Sequence, residues 1–190
     1  MTVSSTDAGE GKTFVSVNLA SVYAVSGKRT VLVGLDLRKP RLGDIFGFKE
    51  RIGVSNYLIG QAAYEEILVP SGQNNLVIIP SGEIPPNPSE LIASDRMGKL
   101  LAQLRQDFEV IVIDTPPIGL VSDARLLMSD TDAVLYVVRC NVSHKEYLRH
   151  TVQNLIGEGV HPIGIIFNDV VNRPKGYGNY SSEYYGKVKG

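Results

Sequence analysis

Lys12 and Thr13 close the run Gly9-Glu10-Gly11-Lys12-Thr13, the stretch of the chain whose chemistry is most specific. Closely spaced glycines let successive backbone N–H groups turn inward around an oxyanion. A helix starting directly afterwards adds the positive end of its dipole. A lysine ammonium at this spacing reaches the β- and γ-phosphates of a nucleotide, and the neighbouring threonine hydroxyl ligates Mg²⁺. The general pattern begins with a glycine five residues before the Gly-Lys pair. That position is Thr6 here, so the match is incomplete and the reading rests on context.

Two aspartates supply that context. Asp36 follows the apolar run Thr30–Leu35, and Asp114 follows Val110–Ile113 and precedes Thr115-Pro116-Pro117. A carboxylate at a strand end beside a phosphate loop holds Mg²⁺ directly or through water. Phosphoryl transfer needs positioning and charge neutralisation more than covalent chemistry. Lys12, Asp36 and Asp114 are therefore the candidate catalytic groups, and Thr13, Asp36 and Asp114 the candidate metal ligands. Asp7, Ala8, Gly9, Glu10, Gly11, Lys12, Thr13 and Phe14 are the candidate nucleotide-binding stretch. The bland alternative for a strand-end aspartate is a turn or helix-cap residue. Arg38 is placed to contact phosphate or acceptor, or to pair with an acid.

These residues need strands and helices to position them, and the chain alternates the two. Residues 2–5 read as the end of a strand and Thr13–Ser26 as a helix stopped by Gly27. Thr30–Leu35 has the continuous apolar character of a strand covered on both faces. Short helical pieces are expected at Leu42–Phe46, Ser55–Leu58 and Ala62–Leu68, and a strand at Leu76–Ile79. Asn87-Pro88-Ser89-Glu90 carries capping-box spacing and opens a helix to about Gln106. Strands follow at Val110–Ile113, Ala133–Val138 and Ile163–Phe167. Ser143 and Glu146 repeat the capping-box spacing ahead of a helix to about Ile156. The expected fold is α/β, a three-layer P-loop NTPase architecture with a mostly parallel sheet and helices on both faces. Ligands in such sheets bind at the carboxyl ends of the strands. Residues 5–13, Asp36, Asp114 and Asn168 all fall on that edge.

The chain has 190 residues, which suits one domain with a single core. Its net charge of −1 provides no overall basic excess to draw it to nucleic acid or an anionic bilayer. The single cysteine, Cys140, cannot form an internal disulfide, and its expected role is that of a small apolar residue. His144, His150 and His161 share no metal-ligand spacing. No apolar run approaches the roughly 20 residues of a membrane helix. Only Thr2 to Ser5 precede the loop where a full buried strand is normal, so the chain reads as part of a longer protein. Residues 1–170 form the expected P-loop domain. From 171 to 190 the composition shifts to glycine, serine and tyrosine, including Tyr177, Tyr180, Tyr184 and Tyr185, and reads as a mobile tail.

Taken together, the motifs resemble the bacterial tyrosine kinases, the cytoplasmic kinase domains of capsule and exopolysaccharide export systems. The family loop Ser-Ser-x-x-Pro-Gly-Glu-Gly-Lys-Thr is matched by Ser4–Thr13 with Ala8 in place of proline. The second motif, Asp-x-Asp-x-Arg, is matched by Gly34-Leu35-Asp36-Leu37-Arg38, with Gly34 in place of the first aspartate. The third is matched by Asp114-Thr115-Pro116-Pro117. Arg38–Leu42, Gly53–Asn56, Pro85–Leu91 and the tyrosine-rich tail are similar as well. The resemblance covers essentially the whole chain. Motifs of the eukaryotic kinase fold are absent from the sequence.

The resemblance implies an ATP-dependent protein-tyrosine kinase that autophosphorylates the tail at Tyr177, Tyr180, Tyr184 or Tyr185 in a neighbouring copy, binding ATP or ADP with Mg²⁺ and regulating polysaccharide polymerisation or export. It implies that Asn168 contacts the adenine and Arg139 lines the same pocket, although Asn168 also reads as a turn residue. It implies further copies of the chain in a ring, a membrane activator segment, fused or separate, and a place at the inner face of the cell membrane. Two other functions fit the loop. An ATPase switch of the septum-placement or partition type carries an extra lysine in its loop, where this chain has Asp7. A nucleotide-responsive adaptor without catalysis would tolerate Gly34.

Overall fold

The computed structural model describes residues 1–48, 52–119, 123–128, 130–160 and 162–170. Seven strands form one sheet in the order β3-β4-β2-β5-β1-β6-β7. β1 (Thr2–Ser5), β2 (Thr30–Gly34), β4 (Leu76–Ile79), β5 (Val110–Asp114), β6 (Val134–Arg139) and β7 (Ile163–Asn168) run parallel. β3 (Val69–Pro70) pairs antiparallel with β4 at one edge. Pro70 is tolerated there because an edge strand leaves one row of backbone groups unpaired. Two residues including a proline carry no periodicity, which is why the sequence does not announce β3.

The central strands are apolar throughout because both faces are covered. Along β2, Val31 and Val33 join one core with Ile79, Ile113, Leu100 and Leu104. Leu32 points the other way, into a second core with Ile78, Val112, Ala20 and Ala24. Helix α1 (Lys12–Val25) therefore packs on one face, and α5 (Asp95–Asp107) on the other. A third core joins Val134, Tyr136 and Val138 of β6 to Leu155 of α7 (Lys145–Gly157).

The expected helix from Asn87 to Gln106 is two helices, α4 (Pro88–Ile92) and α5. Ser94 is extended (φ −77°, ψ 155°) and serves as the N-cap residue of α5. Its hydroxyl donates to the Leu91 carbonyl at 2.6 Å. The break lets Ile92 and Met97 both reach the same core. Both expected capping boxes differ in detail. Asn87 donates its amide to Glu90 Oε2 at 2.6 Å, side chain to side chain. The N-cap residue of α7 is His144, not Ser143. The expected helical piece at Ala62–Leu68 is a single 3₁₀ turn, Glu65–Ile67. Of the remaining short helices, α2 (Leu42–Phe46) and α3 (Val54–Leu58) lie where expected, and α6 (Asp123–Met128) is additional. No helix among the described residues is long and apolar enough to cross a membrane.

Candidate active site

β1 lies between β5 and β6, so its carboxyl end delivers the phosphate loop to the middle of the sheet edge. The register pairs Val3 with Asp114 and Gly34 with Asp114. The loop, Asp36 and Asp114 thus emerge side by side from three adjacent strands. Gly11 holds φ at 94°, a left-handed conformation natural to glycine, and Lys12 begins α1 at once. Lys12, Ser16, Ala20 and Ala24 form the buried stripe of α1 at a spacing of four. That stripe turns the first two toward β5.

A cavity of about 270 Å³ opens between the loop and the segments after β2 and β5. Ala8, Gly9, Gly11, Lys12, Thr13 and Phe14 line one side of it, and Asp36, Arg38, Lys39 and Arg41 line another, with Pro116 and Pro117 completing the wall. Asp114 is 2% exposed beneath this cavity. Burial pushes its carboxyl up to about 6, opposed by the Thr13 hydroxyl, the Lys12 ammonium and the Ser16 hydroxyl. The Ser16 Oγ lies 3.2 Å from Asp114 Oδ1 and 2.9 Å from the Lys12 carbonyl. Burial lowers the Lys12 ammonium from its ordinary value, against the pull of Asp114, Asp36 and Glu10. No sequence motif marks Ser16. Its signal is the i, i+4 spacing from Lys12 on the helix face turned to β5.

Asp36 is half-buried and lines the cavity. Its Oδ1 accepts the Lys39 and Arg38 backbone N–H groups at 2.9 and 3.3 Å, so one carboxylate oxygen shapes the turn after β2. Arg38 donates to Ser89 Oγ at 3.1 Å. A β-carbon at Gly34 would meet Ser81 Oγ at 2.8 Å and Leu42 Cδ1 at 3.0 Å. The space where a larger residue would stand is filled by these neighbours.

The other flank of the loop is arranged differently. Arg139 Nη1 donates to the Gly9 carbonyl at 3.1 Å, and its Nε pairs with Asp169 at 3.0 Å. Asn168 Nδ2 donates to the Glu10 carbonyl at 3.0 Å. A β-carbon on Gly11 would lie 2.0 Å from that amide nitrogen. The Asp7 backbone N–H donates to the Glu10 carboxylate at 2.8 Å, and Glu10 is 1% exposed. Arg139 and Asn168 therefore brace the loop through its carbonyls, and neither they nor Asp7 and Glu10 are among the cavity's lining residues. The loop's entry is fixed by the Thr6 hydroxyl against the Tyr136 hydroxyl at 2.5 Å. It is also fixed by Gly119, whose N–H donates to the Thr6 carbonyl and where a β-carbon would lie 2.5 Å from that oxygen. Tyr177, Tyr180, Tyr184 and Tyr185 lie outside the described residues, as does His161.

A carboxylate sunk between two hydroxyls, one glycine-rich loop and one lysine make a nucleotide site of the P-loop kind. The family model described as an AAA domain matches residues 1–158. A tyrosine-protein kinase CpsD of Streptococcus agalactiae is 33% identical over 188 residues, covering 98% of this chain and 81% of that protein. The chain belongs to the bacterial tyrosine kinase family. A tyrosine-protein kinase wzc of Salmonella typhi is 34% identical over 182 residues, covering 94% of this chain. The chain spans a quarter of that relative's length. The kinase domain of the Escherichia coli tyrosine kinase ETK superimposes with a TM-score of 0.86 at 32% identity, covering 94% of this chain and 70% of the other. The septum site-determining protein MinD of Pyrococcus horikoshii, solved with Mg-ADP, shares the fold at a TM-score of 0.68 and 23% identity, covering 87% of this chain and 67% of the other. The tyrosine kinase family and the P-loop fold together make this domain a nucleotide binder.

Proposed function

We propose that this domain is an ATP-dependent protein-tyrosine kinase whose acceptors include its own C-terminal tyrosines, and that it acts in polysaccharide polymerisation or export. The observation that carries this reading is the convergence of Lys12, Thr13, Asp36 and buried Asp114 at one cavity. It is supported by kinship to proteins named tyrosine-protein kinases.

In this reading the loop N–H groups and Lys12 cradle the ATP phosphates. The fit to a magnesium ion rests on the donor set: a buried carboxylate at Asp114, the Thr13 hydroxyl beside it and the Asp36 carboxylate nearby. Magnesium is commonly held by one or two carboxylates together with the substrate's phosphates. A magnesium ion there would supply positive charge to offset what develops on the phosphate oxygens. Thr13 and Asp114 are the residues that would hold it directly, and Asp36 would hold it only through water, which leaves a carboxylate oxygen for proton transfer. The acceptor phenol oxygen bonds to the γ-phosphorus as the bond to the β–γ bridging oxygen breaks and ADP leaves. Asp36, at the cavity wall, receives the phenolic proton. Lys12 stabilises the charge on the departing phosphate end.

The protein is further proposed to assemble as a ring of copies in which each tail serves as a neighbour's substrate, with a membrane activator segment, fused or separate, at the inner face of the cell membrane. A tethered acceptor has a high effective concentration at a nearby site. Each phosphotyrosine adds about −1.5 to −2 charge, so a modified tail would loosen a ring that depends on its docking.

Incubation with γ-labelled ATP and Mg²⁺, followed by peptide mapping, tests the reading. Label on Tyr177, Tyr180, Tyr184 or Tyr185 is expected. Phosphate release without labelled protein would instead describe an ATPase switch, and neither event would describe an adaptor.

A further inference from the structure

Glu10 presents a physical problem. It lies two residues before the lysine of an anion-binding loop, where a carboxylate would repel the phosphates it helps to surround. It is also 1% exposed, and a buried charge without partners is costly. The structure resolves both difficulties by turning the side chain away from the cavity and surrounding it with donors. One oxygen accepts the Asp7 backbone N–H at 2.8 Å. The other is held by the hydroxyl of Ser143, in the turn between β6 and α7. The same hydroxyl accepts the Arg139 N–H at 2.8 Å, which directs its own proton to Glu10. Ser143 stands just before the N-terminus of the 13-residue helix α7.

The backbone beside this pair shows the same arrangement. Where a loop's N–H groups face an anion, its carbonyls face outward and need partners. The Gly9 and Glu10 carbonyls find theirs in Arg139 and Asn168. The chain of bonds from Arg139 N–H through the Ser143 hydroxyl to the Glu10 carboxylate and on to Asp7 ties both ends of the loop's curve to the β6–α7 turn.

The geometry points to Glu10 and Ser143 as positioning residues: a carboxylate–hydroxyl tie, outside the cavity, that holds the phosphate loop in its binding conformation against the β6–α7 turn. Nucleotide affinity then depends on a side chain, Ser143, that lies more than a hundred residues from the loop in sequence and lines no part of the cavity. The inference goes beyond the kinase reading and rests only on nucleotide binding at this loop.

The test is binding of a fluorescent ADP analogue with Mg²⁺, at equilibrium and by stopped flow, for the wild type, Ser143→Ala, Ser143→Thr and Glu10→Gln. Thermal unfolding without nucleotide is measured alongside. Ser143→Ala is expected to weaken binding about tenfold through faster dissociation, the size of one lost charge-assisted hydrogen bond. Its unfolding midpoint should fall by only about 3–6 °C, as for the loss of one hydrogen bond to a charged group in a domain of this size. Ser143→Thr, which keeps the hydroxyl, should bind within about twofold of wild type, with Glu10→Gln between the two. Wild-type affinity in Ser143→Ala would overturn the inference. So would equal weakening in the Ala and Thr variants with midpoints that fall together. Should Ser143→Ala fail to fold, Glu10→Gln decides: faster dissociation with a midpoint that falls no further than this supports the tie, and unchanged dissociation overturns it. A wild type that binds ADP but labels no tyrosine removes the kinase reading and leaves this inference standing. A wild type that does not bind ADP removes both.

Discussion

On the β2–β5 side of the phosphate loop, Lys12, Asp36, Arg38 and Lys39 face a cavity, with Asp114 buried beneath. On the β6–β7 side, Glu10, Arg139, Ser143 and Asn168 face the loop itself. Both flanks use charged and amide groups at the ends of parallel strands, so residue type alone does not separate them. Their pairing does. The first flank carries groups whose ionisation burial has moved, Asp114 upward and Lys12 downward. Such shifts cluster at functional sites, and here an acid and a base moved toward their neutral forms meet at one cavity. The second flank satisfies its donors and acceptors within the protein, as a support should.

Substitutions on the two flanks should therefore fail differently. The largest effect is expected at Lys12. Lys12→Met should reduce tail labelling from γ-labelled ATP by about a hundredfold or more, as for losing a principal electrostatic contact in the transition state. The domain should remain folded by circular dichroism. Next is Asp114→Asn, which should weaken Mg²⁺-dependent ADP binding about tenfold, measured by calorimetry with and without EDTA.

The same variant separates chemistry from stability. Asp114 in the folded protein titrates at about 6, above its ordinary value of 3.8. Between those values the folded state holds a proton that the unfolded state has released, so the unfolding free energy falls as pH rises from about 4 to about 6. The contribution is at most about 3 kcal/mol, and it is lost above the folded value. Urea unfolding in EDTA at pH 4.5 and pH 7.5 should show that slope in the wild type, and Asp114→Asn should lack this share of it.

Between the two flanks, Gly11→Ala places a β-carbon against the Asn168 amide at a φ of 94°. It should cost about 1–3 kcal/mol in urea unfolding and weaken nucleotide binding at the same time. The smallest effect is expected for Gly34→Ala, which presses on Ser81 Oγ and Leu42. A loss of about 1 kcal/mol, with ADP affinity retained, is the expected outcome. Unchanged stability there would mean that the pocket around Ser81 yields more readily than its distances imply.

Much of the cavity flank was legible in the sequence. Gly9–Thr13, Asp36 and Asp114 announce themselves because each follows an apolar strand and the parallel sheet must bring strand ends to one edge. The strands themselves were plain for the same reason: burial on both faces leaves uninterrupted apolar runs. The supporting flank was much harder to read. Ser143 carried the spacing of a helix cap with Glu146, and its hydroxyl instead serves Glu10. Nothing local to residue 143 encodes a partner at residue 10. The break at Ser94 was encoded locally, by a serine followed by an aspartate, but the apolar spacing on either side of it reads as one helix. Gly119 and Gly34 serve close approach to residues distant in sequence and not turn chemistry, so no local pattern marks them.

A crystal structure of the domain with a non-hydrolysable ATP analogue and Mg²⁺ tests the central claim most directly. The account predicts the Lys12 ammonium on the γ-phosphate, the Thr13 hydroxyl on the metal at about 2.1 Å, and Asp114 reaching that metal directly or through one water. Phosphates seated away from Lys12, or a metal held without Thr13 or either aspartate, would contradict it.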